Sequence, residues 1–277
     1  MLDNSLLAVG APGFADFQGS IVVYSGSKYQ STKIYTHFNS HNKNEYIGYS
    51  VTVGRFFESK IPQIVAGAPR CDFIGCIYIF EYGLKMSGKL SMEANGKNKV
   101  LVADKPIVKH GEQFGEYFGA AVLAVDLNND TFDDLVVGAP LHSPSMNERG
   151  DFGRIYVFIS DGKKLSKTIP IEVETDTGAR FGSALASCGD LNYDGYQDIA
   201  VGAPYENDGK GSVYIFHGSK DGINIHYSQR ISASDHLSTH NLMGFGISLS
   251  HAIDVDNNKY PDLLIGAYNS NKAVLLR

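Results

Sequence analysis

Short apolar runs with alternating character recur along this chain, and each sits in the same company. They are Ile21-Val-Val-Tyr24, Ile77-Tyr-Ile-Phe80, Ile155-Tyr-Val-Phe158, Val213-Tyr-Ile-Phe216 and Ala273-Val-Leu-Leu276. Just upstream of each stands Val-Gly-Ala-Pro or a close variant: Val9 to Pro12, Ala66 to Pro69, Val137 to Pro140, Val201 to Pro204 and Ile265 to Tyr268. Four of the five are preceded in turn by an aromatic or aliphatic residue and Gly: Ile47-Gly48, Phe118-Gly119, Phe181-Gly182 and Phe245-Gly246. Each unit therefore reads as a strand, a loop, a continuously apolar strand ending in Gly-Ala, a turn, a third strand and a more variable outer strand. A run such as Leu135-Val-Val or Ile199-Ala-Val suits a strand buried on both faces.

The repeated Gly falls at 10, 67, 138, 202 and 266, so the period is near sixty residues. Four strands in that length is one propeller blade, and a blade must stack on neighbours to bury its faces. The expected fold is all-β, a β-propeller of four-stranded blades. The expected units are 1–45 (a partial blade), 46–117, 118–180, 181–244 and 245–277. The partial first unit reads as an open arc cut from a larger ring, with both ends of a longer protein missing. The start lacks a basic segment followed by a long apolar run, and no stretch of eighteen apolar residues occurs.

Composition adds little to this and contradicts none of it. With 30 Gly and 31 Tyr plus Phe, the chain suits short strands and tight turns. A formal charge of −6 argues against nucleic acid, which needs clustered Lys and Arg. Three cysteines do not make a disulfide scaffold. Cys71 and Cys76 flank a short turn and could pair across it or remain thiols. Cys188 reads as a buried small apolar residue.

The acidity is clustered in three loops that occupy the same place in their units. These are Asp126-Leu-Asn128-Asn-Asp130-Thr-Phe132-Asp-Asp134, Asp190-Leu-Asn192-Tyr-Asp194-Gly-Tyr196-Gln-Asp198 and Asp254-Val-Asp256-Asn-Asn258-Lys-Tyr260-Pro-Asp262. Oxygen side chains fall at positions 1, 3, 5 and 9, and an aromatic at 7 can offer its carbonyl. Alternating oxygens on a tight loop converge on one point, which is how Ca²⁺ collects six or more ligands. Like charges at about 4 Å repel by roughly 1 kcal/mol in water and by several times that when partly buried. An ion removes that cost, and three Ca²⁺ would bring the formal charge of −6 to zero. The EF-hand needs a bidentate Glu at position 12 and a following helix. Position 12 is Val137, Val201 or Ile265 inside an apolar strand, so these are β-hairpin loops. Mg²⁺ keeps its waters and suits an all-protein cage less well. In unit 46–117 the four ligand positions hold Arg55, Phe57, Ser59 and Gln63, with no carboxylate, and no ion is expected there.

The repeat with its internal calcium loop resembles the seven-bladed propeller of integrin α subunits. Tyr46-Ile-Gly-Tyr-Ser50, Arg180-Phe-Gly-Ser-Ala184 and Tyr260-Pro-Asp-Leu-Leu264 are similar to that family's blade motifs, and the resemblance covers nearly the whole chain. It implies the end of blade three and blades four to seven, on the extracellular side of a single-pass cell-surface glycoprotein. It implies an integrin β subunit as partner, and a matrix or cell-surface protein as ligand. In that family the face opposite the calcium loops meets the β subunit and the ligand. The turns after each Gly-Ala-Pro would lie there, including Arg70, Asp72 and residues 141–151. A β-subunit residue inserts among axial aromatics, for which Tyr49, Phe118, Phe181 and Phe245 are the candidates here. Arg149-Gly150-Asp151, the tripeptide many integrins recognise, reads as chance within a receptor-like chain. Asn129-Asp130-Thr131 is a glycosylation sequon inside a calcium loop.

Similar repeats occur beside the catalytic domains of secreted phospholipase-D-type hydrolases and in some bacterial lectins, so an accessory propeller of that kind is the alternative function. The sequence favours binding over catalysis. Its nine His are scattered, no Ser-His-Asp, H-E-x-x-H or CxxC set appears, and the clustered carboxylates keep calcium spacing.

Overall fold

A computed structural model describes residues 6–25, 31–36, 44–59, 62–81, 100–102, 106–144, 150–235 and 240–277. The chain is all-β and built from four-stranded blades of the β-propeller type. It divides into two compact units, Met1–Arg55 with Ser59–Val122, and Phe56–Glu58 with Leu123–Arg277.

In the first unit, one blade runs Ser50–Gly54, Gln63–Ala68, Cys76–Glu81 and Ile107–His110, each strand antiparallel to the last. The other holds Leu6–Gly10, Ile21–Ser25 and Ser31–Thr36. Its fourth strand is Val100–Val102, which pairs in parallel with Ser31–Thr36. The stretch 46–117 therefore contributes to two sheets, which the repeat alone did not indicate.

The second unit carries a blade of Ala121–Val125, Asp134–Ala139, Arg154–Ser160 and Leu165–Ile171, whose first strand begins at the unit boundary. The next runs Ala184–Gly189, Asp198–Ala203, Ser212–Phe216 and Gln229–Ser232, with a small hairpin of Gly218–Ser219 and Gly222–Ile223 before its outer strand. The last has three strands, Phe245–Leu249, Leu263–Ala267 and Lys272–Leu276.

The strand ending in Gly-Ala is the core of its blade. Gln63–Ala68, Asp134–Ala139 and Asp198–Ala203 are buried along their whole length, as a strand covered on both faces must be. The pairing of Phe-Gly with Gly-Ala has a steric cause. A Cβ on Gly67 would lie 1.9 Å from the Gly119 carbonyl oxygen, and one on Gly202 would lie 2.0 Å from that of Gly246. The Gly of one blade's Gly-Ala thus meets the backbone of the next blade's Phe-Gly, and any side chain would force the blades apart. The Phe side chains fill the space beside this contact. Phe181 packs on Tyr214 at 5.4 Å and Phe216 at 6.0 Å, within a cluster that includes Val201 and Ile155.

Candidate metal centres

The three acidic loops fold alike because each uses its carboxylates to bind its own backbone. In 190–198, Asp190 accepts from the N–H of Asp194 (3.1 Å) and of Gly195 (2.8 Å). Asn192 accepts from Asp194 N–H at 3.2 Å, and Asp194 from Tyr196 N–H at 3.0 Å. The same bonds recur in 126–134 through Asp126, Asn128 and Asp130, and in 254–262 through Asp254, Asp256 and Asn258. The turn this requires is left-handed at positions 4 and 6: Asn129 and Thr131, Tyr193 and Gly195, Asn257 and Lys259. Only Gly195 takes that conformation without steric cost.

Position 9 is the buried root of each loop. Asp134 and Asp198 are fully buried and Asp262 is 2% exposed. Each accepts the N–H of position 2: Leu127 at 3.1 Å, Leu191 at 2.8 Å and Val255 at 2.8 Å. The second oxygen of Asp134 accepts Ser160 N–H at 2.8 Å, and that of Asp198 accepts Gly218 N–H at 3.0 Å. Burial pushes the Asp134 carboxyl up to about 7, against the pull of the N–H groups of Ser160 and Leu127. Burial likewise raises Asp198, with Leu191 and Gly218 N–H groups and the nearby His217 opposing it. His217 Nδ1 lies 3.1 Å from Asp198 Oδ2.

Loop 254–262 departs from the other two in a way that bears on an ion. Asp262 Oδ1 is buried and has no hydrogen-bond partner among the described residues. Asp254, Asp256 and Asp262 each offer an oxygen in a group lying within 4.8 Å of one another. An orphaned buried oxygen beside two further carboxylates is the donor set a hard divalent cation fits. Arg277 Nη1 stands 3.7 Å from Asp256 Oδ2 at its edge.

The residues proposed to meet a partner divide sharply. Tyr49 is 49% exposed and packs edge-on against Tyr117 at 5.7 Å. Arg70 and Asp72 are exposed, and Arg70 lies 5.0 Å over the Tyr46 ring with its Nη1 3.0 Å from the Tyr46 hydroxyl. Phe118, Phe181 and Phe245 are each 0% exposed, which corrects the expectation that they face a partner. Their N–H groups are tied to the preceding blade's turn, at Ile74, Phe152 and Lys210 carbonyls, and their rings point into the core. The residue one place earlier is left-handed and reaches the surface: Tyr46, Tyr117 and Arg180. Arg180 lies 5.0 Å over the Tyr205 ring. The signal for these was present in the sequence as the position just ahead of the repeated aromatic-Gly pair.

Cys71 and Cys76 form a disulfide, with Cα atoms 5.6 Å apart, that closes the turn carrying Asp72 and Phe73. Cys188 is buried, and burial pushes its thiol up to about 12. Asn129 of the sequon is exposed at position 4 of its loop. Of Arg149-Gly150-Asp151, Arg149 lies outside the described residues, while Asp151 pairs with Arg180 at 3.4 Å. No described helix is long and apolar enough to cross a membrane.

A model of the FG-GAP repeat matches residues 118–158 and 181–216. The chain is 38% identical over 277 residues to integrin alpha-4 of Xenopus laevis, covering 99% of this chain and 25% of that protein. It is 38% identical over 271 residues to integrin alpha-3 of Cricetulus griseus, covering 97% and 24%. It is also 38% identical over 292 residues to integrin alpha-PS5 of Drosophila melanogaster, covering 99% and 26%. The chain spans about a quarter of the length of the curated relatives it matches.

Proposed function

Because the chain is an FG-GAP β-propeller of the integrin α type, we propose that it serves as the calcium-stabilised extracellular head of a cell-surface receptor. It pairs there with an integrin β subunit and contributes to binding an extracellular protein. Its role is recognition rather than catalysis.

The calcium reading is carried by the loop that ends in Asp262, where an orphaned buried oxygen joins two neighbouring carboxylates. Asp254, Asp256, Asn258 and Asp262 would hold the ion there, with the Tyr260 carbonyl. Asp190, Asn192, Asp194, Tyr196 and Asp198 would do so in the second loop, and Asp126, Asn128, Asp130, Phe132 and Asp134 in the first. The ion would supply charge neutralisation and a rigid node at the root of each of these three blades. The protein supplies a backbone already turned to present alternate side chains inward.

The partner reading rests on a surface group of aromatic and cationic residues. Exposed Tyr49 and Arg70 and half-buried Tyr46 and Tyr117 form it. Aromatic and Arg side chains dominate the energetics of protein interfaces. The test is co-purification of the full-length protein with an integrin β subunit. Substituting Tyr49 and Arg70 by Ala together should weaken recovery without lowering the melting temperature, while Phe118→Ala should lower both. Undiminished recovery with the Tyr49 and Arg70 variant would place the partner elsewhere.

A further inference from the structure

We infer that Tyr193 couples two of the ion loops, so that an ion in 190–198 raises the affinity of 254–262 for its own. This rests on the calcium reading above and goes beyond it by linking sites that the repeat pattern treats as separate.

Tyr193 occupies position 4 of its loop, between Asn192 and Asp194, both proposed ligands. Its backbone is left-handed, with φ 59°. Its side chain leaves that loop and reaches the next. The hydroxyl donates to the Lys259 carbonyl at 2.7 Å, and the ring meets the Tyr260 ring edge-on at 5.3 Å. Lys259 is itself left-handed, at φ 75°, and its N–H is held by Asp254 at 2.8 Å. Tyr260 N–H is held by Asn258 at 2.7 Å, and Tyr260 offers the backbone carbonyl proposed for the ion. One side chain thus has its root between two ligands of one site and its tip on the peptide just before the one that would present a carbonyl ligand to the other.

Coupling follows from the order each ion imposes. An ion that draws Asn192 and Asp194 together narrows the conformations open to the backbone between them. The phenol is then held against 259–260, and the second ion meets a loop that has less freedom left to lose. Linkage makes the effect mutual. The bond is solvent-accessible, with Tyr193 57% exposed, so the expected coupling is that of one ordinary hydrogen bond, about fivefold in affinity. The first acidic loop carries Asn129 at position 4, with neither ring nor hydroxyl to make this bridge.

The test is a calorimetric calcium titration of the full chain in an Asp126→Ala background, so that two loops report. Tyr193 is compared with Tyr193→Phe, which keeps the ring and removes the hydroxyl. Tyr193→Asn, the residue found at this position in the first loop, serves as a second variant. Each is measured with and without Asp190→Ala, which disables the neighbouring loop, and melts in chelator verify folding. With Tyr193 intact, disabling 190–198 should weaken the remaining site about fivefold, and in both variants it should leave that site unchanged. Equal weakening in all three, or none in any, overturns coupling through Tyr193 while the calcium reading stands. Absence of calcium binding in the parent chain overturns both.

Discussion

Residues 55–59 with Gln63 and the three acidic hairpins occupy the same place in their repeats, yet they are secured by different physics. Where the acidic loops carry Asp at position 9, this one carries Gln63, also fully buried. Where they carry an oxygen at position 3, it carries Phe57, at 9% exposure, beside Phe56, at 0%, in the position that Leu127, Leu191 or Val255 fills in the acidic loops. Those rings lie 6.4 Å apart, Phe57 forms a bridge with Gly162, and Glu58 N–H donates to the Gly162 carbonyl at 2.6 Å. Ser160 Oγ donates to the Phe56 carbonyl. Apolar burial and backbone pairing replace the carboxylate framework there. A blade root can be closed either by hydrophobic contact, which does not depend on ions, or by clustered charge, which on the proposed reading does.

The largest effect should come from breaking the apolar version. Phe56→Ala should cost about 3–5 kcal/mol, by lost burial and the cavity left behind. Because no ion is involved, calorimetric unfolding should give the same loss in calcium and in chelator. Asp198→Ala comes next. It leaves the N–H groups of Leu191 and Gly218 without their acceptor in a buried setting, at a cost of about 3 kcal/mol in chelator and more in calcium, where a proposed ion ligand is lost as well. Asp194→Ala sharpens the contrast, since its carboxylate is exposed and its structural duty is two exposed bonds, from Tyr196 N–H and the Asn192 side-chain amide. It should lower the melting temperature in calcium by a few degrees, equivalent to about 1–2 kcal/mol, and by much less in chelator. The smallest change should be a gain. Lys259→Gly or Thr131→Gly removes a side chain from a left-handed position and should stabilise by about 1 kcal/mol or less, measured by denaturant titration.

Much of this architecture was legible because blade physics repeats. The run Ile77-Tyr-Ile-Phe80 became Cys76–Glu81, and the strands ending in Gly-Ala were readable as buried on both faces from apolar continuity alone. The loop spacing was readable because alternation on a tight turn has few geometric solutions. Side-chain direction was harder. Phe118, Phe181 and Phe245 recur like a surface motif, but they recur because every blade contact needs the same filler. Tyr46, Tyr117 and Arg180 reach the surface from left-handed backbone that propensity disfavours for such residues. The parallel strand Val100–Val102 joins a sheet that began nearly a hundred residues earlier, and no local pattern specifies that pairing. The bridge from Tyr193 to Lys259 spans 66 residues and depends on how consecutive blades stack, so a single-loop reading could not anticipate it.

The most direct test is calcium content measured alongside stability. Purified chain equilibrated with calcium and freed of excess should retain about three equivalents, one for each acidic loop, and should melt at a clearly lower temperature once a chelator removes them. Protein that holds no calcium and melts at the same temperature in both conditions would contradict the account.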